Sequence, residues 1–392
     1  MPTTTEPQGA QRFTEIEGLR AWLAWTVVFA HVFIVLSFYD YGAAYLAPLL
    51  GVYAVQVFIL ISGFVITHLI EQRRESYAPY ITRRAFRIFP DYLIALAAGA
   101  VATPLAIAGL SRVAWGSDPN SYFFASLVGR FASTQAHPWT HWPLHLTLFQ
   151  GAVPDNILPW SSIAFLAPAW SLSLEWQFYL IAPLLVWSLK TPRWRFVVAA
   201  VAIALTLLFS HGVFGAYSTP SSLLGGLWLF VIGAATRLAF PFLRTVAFPA
   251  LPIALALVVA GFLSSGLLPV ALWLAFALLL ARPGPLTALP MRIAFASPAA
   301  QYFGARSYSV YVVHMPIMMA LLFILPLGAM THVQALAALG ACALPLTAIT
   351  SEILYRCVER PMIGAGARIA KSLPSRAFPA ATVAARQGDR AS

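Results

Sequence analysis

Ten apolar runs of membrane-crossing length, at about 19–38, 51–71, 88–110, 168–189, 196–211, 222–240, 246–263, 267–281, 305–327 and 332–356, leave this chain few folds to choose from. In hydrocarbon a backbone must satisfy its polar groups internally, and apolar runs of this length and continuity read as helices. The expected fold is all-α, a polytopic transmembrane helical bundle of about ten spans. An even number of spans puts both termini on one side. If that side is the cytosol, every lysine and arginine except Arg112 and Arg130 falls in a cytosolic segment or at a cytosolic helix end. That asymmetry is the one the positive-inside rule describes.

Composition agrees. Hydrophobic residues make up 60% of the chain and charged residues only 9%, too little polar surface to cover a soluble globule. The formal charge of +11 is split among short clusters between apolar runs. Nucleic-acid binders instead gather such charge on one face with interleaved aromatics, so membrane lipids are the expected partner and nucleic acid is not. Cys342 and Cys357 both lie in the last apolar region, so neither a disulfide framework nor a metal site is expected. The first span follows a polar start with no convincing cleavage site after it and reads as a retained signal anchor.

The domain reading follows from the runs. Residues 1–15 are expected to be a cytosolic N-terminal segment, 16–363 the membrane domain, and 364–392 a disordered cytosolic tail of low apolar content. Residues 111–167 form the longest stretch between spans and are placed outside. Within it SYFFASLVGRF and WPLHLTLFQ are apolar enough for interfacial or re-entrant helices that could cover a cavity.

Four constellations carry candidate chemistry. Arg20 and His31 are eleven residues apart, about three turns, and share one face of the first span, with His31 about 16 Å deeper. Headgroup anchoring plus a buried histidine is one reading; general-base catalysis beside an arginine for an anionic ligand is the other. The basic stretch RRESYAPYITRRAFRIFPDY, with Arg83 and Arg87 spaced i, i+4, suits a phosphate-rich ligand, although topology alone would produce part of it. Ser171, Glu175 and Tyr179 recur every fourth residue as a polar stripe; Glu175 is expected to face the interior, where it could meet and orient His31. Ser307, Tyr311 and His314 share a face of the ninth span, with a core histidine before a proline as the plainer reading. Ser62 and Gly63 read as a close helix packing site. Glu352 reads as a structural partner of Tyr355, Arg356 and Arg360.

These residues together resemble a known family. IEGLRAWLAWTVVFAH is similar to the arginine, ten residues, histidine signature of the acyltransferase-3 family of integral membrane acyltransferases. In the family's order follow FILISGFVIT, similar to its Ser-Gly-Phe motif, and RRAFRIFPDY, similar to Arg-Ile-x-Pro-x-Tyr. WSLSLEWQFYLIAP then resembles Ser-Leu-x-x-Glu-x-x-Phe-Tyr, and SYSVYVVHMP resembles Ser-Tyr-x-x-Tyr-x-x-His. The resemblance spans about residues 13–363. It marks Arg20, His31, Ser62, Arg84, Arg87, Glu175, Tyr308, Tyr311 and His314. Two departures are Ile59 in the aromatic pair before Ser-Gly-Phe, and Asp91 where the family has an apolar residue.

The resemblance implies a multi-pass protein of a bacterial inner (plasma) membrane, without a fused extracytoplasmic hydrolase-like domain. It implies an O-acyltransferase with no bound cofactor. Acyl-CoA serves as co-substrate, and an acyl group, acetyl first, goes to a hydroxyl of a glycan, a lipid-linked sugar or a small molecule. On that reading His31 and Glu175 are catalytic, Arg20, Arg83, Arg84 and Arg87 hold acyl-CoA, and Ser62, Ser171, Tyr179, Tyr308, Tyr311 and His314 support them. The competing class is a proton-coupled transporter of a small solute or glycan precursor, with His31, Glu175 and His314 as a relay.

Overall fold

The computed structural model describes residues 13–37, 46–118, 121–264 and 266–374. Among these the regular structure is helical. Along the first third of the chain come α1 (Thr14–Ile34), α2 (Leu46–Arg73), α3 (Tyr77–Leu110), α4 (Tyr122–Ala136) and α5 (Pro138–Leu146). The middle of the chain holds α6 (Ala169–Lys190), α7 (Pro192–Ser210), α8 (Leu223–Thr245), α9 (Ala250–Leu263) and α10 (Leu268–Ala281). Last are α11 (Ala288–Phe295), α12 (Pro298–Ala305), α13 (Ser307–Ile324), α14 (His332–Leu354) and α15 (Arg360–Ser372). Eight helices are long and apolar enough to cross a membrane: α1, α2, α3, α6, α7, α8, α13 and α14. The apolar helices α9 and α10 have 14 residues each, about 21 Å at 1.5 Å per residue, short of a hydrocarbon core of about 30 Å.

Contacts between helix ends fix the direction of the helices. Gln301 Nε2 donates to Thr14 O at 2.6 Å, joining the start of α1 to α12 just before α13 begins. Lys190 at the end of α6 and Arg237 near the end of α8 both reach Glu71 at the end of α2. Arg282 Nη1, just past α10, donates to Arg244 O at the end of α8, and Arg306 pairs with Glu352 at the end of α14. One end of the bundle therefore gathers the starts of α1 and α13 with the ends of α2, α6, α8, α10 and α14. It also carries most of the chain's arginine, and the positive-inside rule makes it the cytosolic end. At the other end Ser37 Oγ lies 2.6 Å from Ser121 Oγ, and Arg112 Nη1 donates to Phe323 O at 3.1 Å.

A close helix crossing joins α2 to α8. A Cβ on Gly63 would stand 2.4 Å from Phe230 O, and one on Gly233 2.1 Å from Leu60 O. Two backbones can meet this closely only where neither carries a side chain. The crossing locks the rotation of α2 and so aims Ser62, the residue before Gly63, away from α8.

Two expectations change. The third span, expected from about residue 88, begins at Tyr77 and takes in most of the basic stretch; Pro79 sits in the first turn, where its missing N–H costs nothing, and no breaker follows before Pro90. The tail expected to be disordered from residue 364 is helical through Ser372. There Gly366 lets α15 settle on Phe86 of α3, and Ala370 is buried. A helix that buries small residues has too little apolar content to be read from composition. Residues 375–392, the rest of that tail, lie outside the described residues, as do 1–12. The outer segment 111–167 does contain helices, α4 and α5, that match the two apolar stretches.

Candidate active site

A cavity of about 110 Å³ opens between α1, α2, α3, α6 and α13. Its cytosolic part is lined by Arg20, Arg84 and Arg87 with Tyr179 and Tyr308 beside them, and its deeper part by Ser62, Ser171, Glu175 and Tyr311. No residue of 111–167 lines it, so the outer segment does not cover this cavity. α4 and α5 pack instead along α3, where Tyr92 Oη donates to His145 O at 2.7 Å. Buried Arg130 bonds the carbonyls of Ser126 and Ile163. Its burial holds its pKa down at about 10.

The stripe on α6 forms as its spacing indicates. Glu175 Oε1 accepts from Ser62 Oγ at 2.6 Å and from Tyr179 Oη at 2.5 Å. Ser171 Oγ lies 2.7 Å from Tyr311 Oη, which also donates to Pro168 O at 3.0 Å. Two donors converge on one carboxylate oxygen, so the carboxyl plane is held and Oε2 has no partner among the described residues. Ser62 thus has a polar duty that the packing reading missed: Gly63 packs, Ser62 orients Glu175. The expected meeting of Glu175 with His31 does not occur. The donors Ser62 and Tyr179 occupy the carboxylate, and His31 faces another helix.

The arginines divide. Arg83 ion-pairs with Glu75 at 2.8 Å and is absent from the cavity wall, so the i, i+4 face of Arg83 and Arg87 is not the one presented. Arg84 and Arg87, three residues apart, both line the cavity. The Arg84 guanidinium stands 5.9 Å over the Tyr179 ring. Arg87 is ion-paired with Glu359 and lies 5.4 Å over Tyr308. Among the described residues no carboxylate lies within ion-pair distance of Arg20 or Arg84. Two cations on a cavity wall, neither of them tied up in an ion pair, make an anion-binding surface.

His31 and His314 come together, with ring centroids 5.0 Å apart. His31 Nδ1 lies 2.8 Å from Val27 O, and His314 Nδ1 lies 3.3 Å from Val310 O. A carbonyl only accepts, so each Nδ1 carries the proton and each Nε2 holds a free lone pair. His314 Nε2 is buried without a partner. The pair does not line the cavity. It is joined to the wall through Tyr311, whose ring lies 5.9 Å from that of His314. Although Arg20 and His31 share a face of α1, they differ in depth: Arg20 lines the cavity, and His31 meets α13 three turns further on.

Two parts of this neighbourhood were not legible. Glu359 enters through a π-helical turn, Tyr355–Glu359, that no local sequence signal announces. Ser309, which bonds both Asp91 and Glu359, lay inside the Ser-Tyr-x-x-Tyr-x-x-His stretch but off the face singled out. Glu352 pairs with Arg356 as expected, but its other partners are Arg306 and Tyr302 rather than Tyr355 and Arg360. Among the described residues no group of three potential metal ligands forms.

No curated protein and no solved structure matches this chain. A family model described as an acyltransferase domain does match, over residues 13–356. That range takes in the arginines, Glu175 and both histidines, and the chain belongs to the acyltransferase-3 family of integral membrane acyltransferases.

Proposed function

We propose that this acyltransferase takes an acyl group, acetyl first, from cytosolic acyl-CoA and delivers it to a hydroxyl on a cell-surface or exported glycan, a lipid-linked sugar or a small molecule, in a bacterial inner membrane. The observation that carries the reading is the cavity itself. Its cytosolic mouth holds Arg20 and Arg84, neither of them in an ion pair, and its deep end holds an oriented Glu175. Guanidinium groups bind phosphate oxygens bidentately, which suits the phosphates of coenzyme A at the mouth.

The chemistry is then assigned to His31. Its Nε2 lone pair takes the proton of the acceptor hydroxyl, the oxygen attacks the thioester carbonyl, and the C–S bond breaks. The coenzyme A sulfur leaves and recovers a proton from the imidazolium. His314, 5.0 Å away with its own unprotonated Nε2, is placed to share that proton during the step. Access from the cavity requires the Tyr311 ring to turn aside, so Tyr311 acts as a gate that admits the thioester. Glu175 Oε2 is available to an acceptor hydroxyl or to a polarised water.

The test is acyl transfer from radiolabelled acyl-CoA in membranes holding equal amounts of wild type and His31→Ala, with mass analysis of surface glycans and secreted metabolites to find the acceptor. Loss of transfer with donor binding retained supports the reading. Transfer at near wild-type rate in His31→Ala overturns it, and solute uptake driven by a pH gradient without acyl donor would replace it with transport.

A further inference from the structure

Asp91 sits one helical turn beyond Arg87 on α3 and is 1% exposed. Glu359 is equally buried, at 1%. A turn of π-helix carries one residue more than an α-turn, and here that extra residue rotates Glu359 inward to Arg87. Between the two acids lies Ser309 of α13, fully buried. Its Oγ is 2.9 Å from Asp91 Oδ2 and hydrogen-bonds Glu359 Oε2 as well.

The protons can be counted. An ionised carboxylate only accepts hydrogen bonds, and a serine hydroxyl has one proton to give. Ser309 can therefore donate to one of its two neighbours, and the other contact requires a proton on a carboxyl group. Charge counting agrees, since two buried carboxylates would face the single cation Arg87. Glu359 is the one ion-paired with Arg87, no donor bonds Asp91 Oδ1, and the two carboxyl groups lie within hydrogen-bond reach of each other. The charged and titratable groups facing Asp91 are Glu359 from the π-turn, Arg87 from its own helix and Tyr308 from α13. Of these only Arg87 is a cation, and Glu359 already holds it.

We infer that Asp91 is a neutral acid that donates to Ser309, that Ser309 donates to Glu359, and that this chain positions Arg87 in the cavity wall. Asp91 is thus a positioning residue. It acts on the anion site by setting how much of the Arg87 charge Glu359 consumes. The part concerning donor binding rests on the arginines holding coenzyme A, whereas the protonation of Asp91 does not.

The experiment uses the full chain in lipid nanodiscs. Infrared difference spectra at neutral pH should contain the carbonyl stretch of a neutral carboxylic acid, and Asp91→Asn should abolish it. Glu359→Gln should abolish it too, because the single acid left beside Arg87 then ionises. A band that is missing from the wild type, or that survives in both variants, overturns the proposal, and either variant suffices if the other does not fold. Coenzyme A binding supplies the functional arm. Asp91→Asn, a neutral isostere, should bind like wild type at neutral pH and lose the wild type's weakening at alkaline pH, while Asp91→Ala binds about tenfold more weakly. Equal weakening in Asn and Ala variants overturns the positioning role. Absence of coenzyme A binding in the wild type would instead sink the donor reading and leave the infrared result to decide the proton.

Discussion

Two pairs of histidines have their rings close together among the described residues, and only one of them adjoins the cavity wall. His31 and His314 lie between α1 and α13 with rings 5.0 Å apart; His141 and His145 lie on α5 with rings 6.0 Å apart. In the first pair each Nδ1 is tied to a carbonyl one turn back, so each Nε2 is an available base. In the second, Ser133 gives its proton to Pro159 O and so receives one from His141 Nε2, while neither His145 nitrogen has a partner. The first pair connects through Tyr311 to a cavity with cations and a carboxylate. The second packs against Phe165 and does not line that cavity. Burial of a histidine therefore says little about function. What separates the pairs is an oriented lone pair with a route to substrate.

The largest expected effect breaks this comparison directly. His31→Ala should lower acyl transfer by about 10²–10⁴-fold, the range for loss of a general base, while His145→Phe should leave transfer within about twofold; equal losses would erase the distinction. Next, Glu175→Gln keeps the shape of the α6 stripe but removes the charge that Ser62 and Tyr179 orient. A loss in kcat/KM of about 10–100-fold is expected, the worth of hydrogen bonds to a charged group. Arg84→Ala should raise the KM for the acyl donor by about tenfold with kcat little changed, since it removes a binding contact rather than a reacting group. Arg83→Ala, whose partner Glu75 keeps it off the wall, should not.

The smallest effect sharpens the other side of the comparison. Burial holds His141 down at about 4, helped by His137, and His145 down at about 3, helped by His141. Both are near 6.5 when unfolded, so over the intervening range the unfolded chain binds more protons and stability rises with pH. This contribution is complete above about pH 6.5 and is lost as pH falls through about 4 and then 3. Thermal melting in detergent across that range should show the decline in wild type and a shallower one in His145→Phe. A pH-independent melting curve in both would remove the outer pair as a determinant of stability.

Much of the helix plan was legible because hydropathy and charge asymmetry are properties of each segment by itself. The α6 stripe was legible for the same reason, since i, i+4, i+8 spacing is local. Where two stripes meet was not. Glu175 was expected at His31 on depth alone, yet the Gly63–Gly233 crossing turns Ser62 toward Glu175 and closes that route. Arg83 was expected at the ligand from i, i+4 spacing, yet Glu75 claims it.

By itself the sequence determined that the chain is a helical membrane bundle, which end is basic, and which helices carry the ionisable groups. Those follow from the cost of polar groups in hydrocarbon, a cost paid residue by residue. Only the tertiary structure decided which face of each helix meets which: that His31 pairs with His314, that Glu175 answers to Ser62 and Tyr179, and that a π-turn delivers Glu359 to Arg87. Helix rotation is set by side chains packing between elements far apart in the chain, and no single segment contains that information.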